Sequence, residues 1–404
     1  MQTKEPQRAL WLSTMAMAAS FVIWNVFSPI AGHVQELYQL STVQISILIA
    51  TPVLMGSLMR IPMGIFTDRY GGRRMFLGTM LFLLVPLLIV GSVQSYSMLL
   101  VCALLLGMAG STFAISLTYV SRWFPAEKQG LVLGIAGLGN LGVAGASVGV
   151  PLLLRTFNYT FVYYSLALMI GVMALVFWFG TKDYPAPGSG KTWKQAMEVL
   201  KYRTTLYLSL FYFLTFGGFV TFSLYLPTFL KELFGLNLTD AGFLTGGFVL
   251  LATLIRPVGG YLADRFGSRR VLTAVFIGIA LTASLLAVSL YDLAWFCVGC
   301  LLASLLLGIG NGGVFQMVPE VASGNTGAVT GIVGAAGGIG GFFPPIVLGV
   351  LQDAYGSYVF GFILMLAVAV VCLWLNWSIR PRNHQSDARE GMTVSKKQFA
   401  NRAG

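Results

Sequence analysis

Apolar residues occur along the chain in stretches of roughly 18 to 25 residues, and clusters of charged or polar residues separate them. A helix of that length crosses the hydrocarbon core of a membrane, because each residue adds about 1.5 Å along the helix axis. The pattern therefore predicts twelve membrane helices, at 11–32, 43–66, 74–92, 97–121, 129–152, 159–180, 205–230, 240–263, 271–289, 293–317, 325–350 and 356–379.

Composition supports this interpretation. Of the 404 residues, 56% are hydrophobic and 10% are charged, whereas soluble domains carry about 25% charged residues. The first apolar stretch has the charge order of a signal peptide, but it is longer and lacks a small-residue cleavage site, so we expect it to remain as a helix. Most of the 48 glycines fall within the apolar stretches, where small residues let helices pack closely. We expect an all-α integral membrane protein.

The net charge of +11 is distributed unevenly. Of the 25 Lys and Arg residues, 21 lie in the termini and in the connections on one side of the predicted bundle, and only Arg155 and Lys231 fall on the other side. Basic residues accumulate on the cytoplasmic side of membrane proteins. The distribution predicts that both termini are cytoplasmic, and it accounts for the basic charge without a nucleic-acid partner.

An internal repeat divides the chain. The segment "MRIPMGIFTDRYGGRR" (59–74) recurs 196 residues later as "IRPVGGYLADRFGSRR" (255–270), and "GIAGLGNLGVAG" (134–145) recurs as "GIVGAAGGIGGF" (331–342). We therefore predict two pseudo-symmetric six-helix halves. The expected divisions are an N-terminal half at 1–180, a cytoplasmic linker with an interfacial helix at 181–204, a C-terminal half at 205–380 and a cytoplasmic tail at 381–404.

Two arginines, Arg60 and Arg256, are the only charged residues predicted to lie well inside the membrane. Each precedes the acidic residue of its repeated segment by eight positions, which is about 12 Å along a helix. A guanidinium keeps its proton, so its burial is costly without an anion. All 14 acidic residues fall in connections, in tails or at helix ends. The pair predicts an anion site, although each arginine could instead extend to the cytoplasmic surface.

The residues predicted around the two arginines limit the size and shape of the anion that can bind. The predicted helices offer mainly glycine, aromatic rings and a few amide or hydroxyl groups, which leaves a small site. A compact, planar, monovalent oxyanion matches two planar guanidinium groups flanked by rings. The chemistry alone leaves nitrate, nitrite, formate and bicarbonate open.

The repeated segments "GIFTDRYGGRR" and "GYLADRFGSRR" resemble the signature between helices two and three of the major facilitator superfamily. The resemblance covers the whole chain and implies the major facilitator fold. In that family the acidic and basic groups of the signature hold the cytoplasmic face closed. By resemblance, Asp68, Arg73, Asp264 and Arg269 would have this gating role; the alternative is that they only stop the helices at the membrane surface.

A narrower resemblance concerns the glycine-rich segments. "GLGNLGVAG" (137–145) and "GAAGGIGGFFPP" (334–345) are similar to the paired nitrate signatures of the nitrate/nitrite porter family. The resemblance implies a transporter that moves nitrate and nitrite by rocker-switch alternating access. It also implies the substrate-binding residues, which are Arg60, Arg256, Asn140, Phe113, Tyr212 and Phe216.

Because binding of an anion would offset the repulsion between the arginines, we expect exchange of nitrate for nitrite. Proton-coupled symport, with a proton carried by water, by His33 or with the substrate, remains an alternative. A carrier for formate or an organic carboxylate is another. A receptor would need a larger soluble domain than these connections provide, and an enzyme would need a metal-ligand cluster or an activated nucleophile. We expect a monomer in the cytoplasmic (inner) membrane, with the lipid bilayer as partner and no cofactor or metal.

Overall fold

The computed structural model describes residues 4–183, 197–236, 238–322 and 326–378. Within these residues it contains helices and no strand, and twelve helical spans are long and apolar enough to cross a membrane. The predicted all-α membrane fold is confirmed. Residues 184–196 of the predicted linker and the whole predicted tail lie outside the described residues, so the interfacial helix and the domain boundaries stay predictions.

The twelve spans follow the predicted order. They are α1 (Glu5–Trp24, continued by Ala31–Leu37), α2 (Thr42–Tyr70), α3 (Gly72–Val90), α4 (Tyr96–Leu106 and Thr112–Ser121), α5 (Gln129–Ala136 and Leu141–Thr156), α6 (Tyr159–Gly180), α7 (Arg203–Phe234), α8 (Leu238–Leu254 and Arg256–Phe266), α9 (Ser268–Val288), α10 (Leu293–Ala322), α11 (Thr326–Tyr355) and α12 (Val359–Ser378).

Local sequence fixes where several helices begin and end. Helix α2 begins at a capping box, in which Ser41 and Gln44 satisfy each other's backbone N–H groups. It ends at Gly71, and α8 ends at the repeat-related Gly267; their φ angles of 91° and 86° favour glycine. Helix α2 continues through Asp68 to Tyr70, and α3 begins at Gly72. The connection between helices two and three is therefore the single residue Gly71, which is shorter than predicted.

Besides α1, three of the described spans are interrupted. Helix α4 contains a 3₁₀ turn at Gly107–Ser111, α5 contains one at Gly137–Asn140, and α8 breaks at Ile255. Such interruptions change which backbone carbonyls are used within the helix. The break in α8 directly precedes Arg256. The hydropathy pattern of α8 gives no sign of this break.

The two halves meet through α2 against α11 and through α5 against α8. At one end of these pairs the backbones touch: a Cβ added at Gly64 would overlap the carbonyl oxygen of Gly327, and one added at Gly260 would overlap that of Gly130. We call the end of the bundle that contains these four glycines, together with Asp68 and Asp264, the basic end. The halves are in close contact there.

Candidate anion-binding site

The two predicted arginines lie inside the bundle. Arg60 on α2 is 0% exposed and Arg256 on α8 is 1% exposed, and both are among the largest fully buried side chains. Among the described residues, neither forms a salt bridge with a carboxylate. The alternative that they extend to the membrane surface does not hold in this structure.

Backbone carbonyls hold Arg60 from two sides. Its Nε donates to the carbonyl oxygen of Gly110 at 3.2 Å, and one terminal nitrogen donates to that of Gly334 at 2.7 Å. Gly110 belongs to the 3₁₀ turn of α4, whereas Gly334 lies on α11 in the other half. The second terminal nitrogen is buried without a partner. Arg60 therefore joins the halves and still has N–H groups to offer.

Among the described residues, Arg256 has fewer hydrogen-bond acceptors than Arg60. One terminal nitrogen donates to the hydroxyl oxygen of Tyr212 at 3.3 Å, while Nε and the other terminal nitrogen are buried without a partner. Gly137, in the 3₁₀ turn of α5, lies directly against the guanidinium, where an added Cβ would overlap it. A buried N–H group without an acceptor is costly. One guanidinium nitrogen of Arg60 and two of Arg256 are therefore left to donate to an acceptor outside the described protein groups.

Aromatic rings surround the guanidinium groups. The ring of Phe113 lies near both, with centroid distances of 4.7 Å to Arg60 Cζ and 5.3 Å to Arg256 Cζ. Tyr212 and Phe216 are stacked one turn apart on α7, with centroids 5.0 Å apart and planes at 11°. The structure brings together the predicted arginines and the three predicted rings in a group of residues that spans both halves.

Phe315 on α10 completes this group, and the sequence analysis did not identify it. Its ring is perpendicular to Tyr212 at 4.7 Å and 5.7 Å from Arg256 Cζ, and it also contacts Phe113 edge-on at 5.3 Å. The internal repeat gives no signal for Phe315, because its offset of 196 leads from Phe113 to Ile309. Nothing in the sequence therefore separates Phe315 from the rest of the 29 phenylalanines.

Asn140 is buried close to this group but is occupied locally. Its side-chain amide donates to the carbonyl oxygen of Gly137 at 3.0 Å, within the same 3₁₀ turn of α5. It makes no hydrogen bond with either arginine. His33 is exposed and lies 5.9 Å from the ring of Tyr159, away from the buried arginines.

At the basic end, the two predicted acidic residues contact the opposite half. Asp68 accepts hydrogen bonds from the backbone N–H groups of Gly327 (2.7 Å) and Ala328 (3.2 Å) at the start of α11. Asp264 accepts from those of Gly130 and Leu131, each at 2.8 Å, at the start of α5. The first N–H groups of a helix lack partners within the helix and favour a negative charge. Each carboxylate thus binds a helix of the other half.

The two predicted basic residues, Arg73 and Arg269, form hydrogen bonds within their own half and not across the halves. Arg73 donates to the carbonyl oxygen of Trp178, with its Cζ 3.8 Å from that ring's centroid, and Arg269 donates to the carbonyl oxygen of Trp377 at 2.7 Å. Both contacts stay within one half. Among the described residues, neither arginine pairs with Asp68 or Asp264; the partner of Asp68 is Arg122, at 2.6 Å, which the sequence analysis did not select.

A buried cationic site at the junction of two six-helix halves, with the halves in contact at one end, defines the class of protein: a membrane carrier. The family model of the Major Facilitator Superfamily matches residues 12–243 and 208–402. Among solved structures, the proton:xylose symporter XylE superimposes with a TM-score of 0.80 at 12% identity, covering 94% of this chain and 97% of that one.

Two relatives narrow the assignment. The "Nitrite extrusion protein" of Bacillus subtilis (strain 168) is 38% identical over 381 residues, which is 93% of this chain and 96% of the relative. The "Probable nitrate/nitrite antiporter NarK1" of Thermus thermophilus is 35% identical over 405 residues, covering 92% and 91%. The chain belongs to the major facilitator superfamily and, within it, to the nitrate/nitrite porter family. It is a multi-pass membrane transporter and not an enzyme.

Proposed function

We propose that this protein exchanges nitrate and nitrite across the cell membrane, with the anion held between Arg60 and Arg256. The observation that carries the proposal is the set of three buried guanidinium nitrogens without a partner. An oxyanion with three or two oxygen atoms supplies the missing acceptors and neutralises part of the charge. The names of the relatives support nitrate and nitrite over other planar anions.

The remaining site residues have distinct roles in this proposal. Phe113, Tyr212 and Phe216 present ring faces and edges to a flat anion, and the Tyr212 hydroxyl orients Arg256. Asn140 would donate to a substrate oxygen after its amide leaves the carbonyl of Gly137. Because Arg256 has two of the three unpartnered nitrogens, it takes the larger share of the anion's hydrogen bonds.

We propose that gating takes place at the basic end and that this end faces the cytoplasm. Both termini are then cytoplasmic. We also propose that the protein is a monomer. Release of Asp68 from α11 and of Asp264 from α5 separates the halves and opens the site to the cytoplasm. Arg73 and Arg269 hold α6 and α12 to their own halves, so that each half moves as a unit. Alternating access by such rocking is the behaviour of carriers built from repeats.

Counterflow in proteoliposomes tests the substrate. Vesicles loaded with unlabelled nitrate should accumulate isotope-labelled nitrate, and external nitrite should compete strongly, whereas formate and bicarbonate should compete weakly. The matched control is the double variant Arg60→Gln/Arg256→Gln, which keeps hydrogen-bonding side chains without the charge and should show no counterflow. Stronger competition by formate than by nitrite would refute the substrate assignment.

A further inference from the structure

A second polar site lies at the basic end, at the periphery of the bundle and apart from the buried arginines. A pocket of about 520 Å³ opens between the first turns of α1 and the last residue of α6. Its lining consists of Lys4, Gln7, Arg8, Trp11, Leu12 and Gly180. The absence of a side chain at Gly180 leaves room for Leu12, because an added Cβ would overlap the leucine.

The lining residues of α1 share one face of the helix. Lys4, Arg8 and Trp11 follow at spacings of four and three, so their side chains project from the same side. All three are exposed, and Met15, one turn further, is 55% exposed. The face therefore changes from cationic to aromatic to apolar over about three turns, as a helix does where it passes from the lipid headgroups into the hydrocarbon.

The two cations of the pocket lack acidic partners. Glu5, the acidic residue in the first turn of α1, is bound to Lys182 at 2.7 Å. Within the part of the chain that the structure describes, Lys4 and Arg8 take part in no ion pair. The pocket thus presents a guanidinium, an ammonium and the Gln7 amide toward one space, above an apolar floor made by Leu12.

We propose that this pocket binds the phosphate group of an anionic phospholipid. The guanidinium fork and the ammonium match phosphate oxygens, Trp11 lies at the level of the glycerol region, and the chains continue along the apolar surface below it. The neighbouring Phe179, which is 81% exposed, extends that surface on α6. A free phosphate ion satisfies the cations but leaves Trp11 and Leu12 uncovered, so the lipid is the better occupant. The inference is independent of nitrate transport.

Quenching of Trp11 fluorescence by brominated lipids tests this proposal. The protein is placed in phosphatidylcholine membranes containing a small fraction of brominated phosphatidylglycerol or, for comparison, brominated phosphatidylcholine. Subtraction of the signal of Trp11→Phe isolates Trp11 from the other seven of the 8 tryptophans. We expect stronger quenching by brominated phosphatidylglycerol in the wild type. In Lys4→Gln/Arg8→Gln the preference should fall, by about fivefold for each basic residue removed.

The matched control is Lys128→Gln/Arg270→Gln, which removes two exposed basic residues of the basic end outside the pocket and should leave the preference intact. Gel filtration and nitrate counterflow verify that each variant is folded. Equal quenching by the two lipids, or an equal loss in the control pair, would overturn the proposal. A preference abolished by inorganic phosphate, but not by chloride at the same ionic strength, would assign the pocket to free phosphate instead.

Discussion

Arg60 and Arg256 occupy equivalent positions in the internal repeat, but their hydrogen bonds differ. Arg60 donates to two carbonyl oxygens, one from each half, whereas the one acceptor of Arg256 in the described part of the chain is the Tyr212 hydroxyl. A guanidinium that already has acceptors gains less from an added anion. The symmetry of the sequence therefore produces an asymmetric arrangement, and in the proposed site Arg256 would depend more on the anion than Arg60 does.

We expect Arg256→Lys to weaken nitrate binding more than Arg60→Lys. Lysine keeps the charge but loses the planar fork, and each lost hydrogen bond to a charged group costs about 1.5–3 kcal/mol, or roughly 10- to 100-fold in affinity. Isothermal titration calorimetry of the purified variants measures the difference. Arg270→Lys, an exposed arginine of α9, is the control. Equal losses in the two variants would contradict the proposed asymmetry.

Tyr212→Phe tests whether the hydroxyl orients Arg256. The variant keeps the ring that stacks on Phe216 and removes the hydroxyl oxygen that, among the described residues, is the one hydrogen-bond acceptor of Arg256. We expect nitrate affinity to fall roughly tenfold, since the guanidinium loses its orientation. Nitrate titration gives the answer, with Tyr261→Phe, at an exposed tyrosine of α8, as the matched substitution. Unchanged affinity would reduce Tyr212 to a packing role.

At the scale of whole helices, the contacts of Asp68 and Asp264 form a symmetric pair. Each carboxylate on the last turn of α2 or α8 caps the first turn of α11 or α5, next to a glycine pair whose backbones touch. A negative charge at a helix N-terminus contributes up to about 2 kcal/mol when partly buried. The four helices are thus joined at the basic end in two repeat-related places, which differ in the additional ion pair of Asp68 with Arg122.

If the contact of Asp68 with α11 and the contact of Asp264 with α5 open together, Asp68→Asn will weaken both contacts. We expect faster amide hydrogen exchange at the start of α11, because the asparagine amide keeps one acceptor oxygen but loses the negative charge and the ion pair with Arg122. We also expect faster exchange at the start of α5, because the halves separate as units. Exchange followed by mass spectrometry measures both segments. Asp292→Asn is the control, since Asp292 caps α10 through Ala294 and Trp295 within one half. Faster exchange confined to α11 would show that the two contacts open independently.

At the scale of the molecule, the unpaired charges determine coupling. Closing the halves around an empty site brings two guanidinium groups together without an anion, whereas a bound anion offsets their repulsion. The loaded carrier should therefore reorient faster than the empty one. This is the physical basis of the exchange that we propose.

We expect nitrate uptake into vesicles without internal anion to be at least about tenfold slower than counterflow, a difference in barrier of about 1.4 kcal/mol or more. An inward proton gradient should not restore the rate, because the site has no carboxylate partner for a proton among the described residues. Initial rates of nitrate uptake, measured with and without the proton gradient, distinguish exchange from proton symport. Acceleration by external acid would replace exchange with proton symport.

The sequence by itself determined the number and order of the helices, the repeat and the place of both arginines within apolar stretches. The helices and the arginines are local features, because the length of an apolar stretch and the cost of a charge in hydrocarbon can be read from neighbouring residues. The resemblance to a known family then indicated the rings and the acidic residues of the basic end.

Only the tertiary structure decided what these residues contact. Arg60 meets the carbonyl of Gly334 across 274 positions of chain, and that carbonyl has no side chain to mark it. The same holds for Phe315 among many phenylalanines, and for Arg73 and Arg269, which bind helix ends of their own halves. A sequence pattern records which side chains face inward, but the partner of each depends on how distant helices pack together.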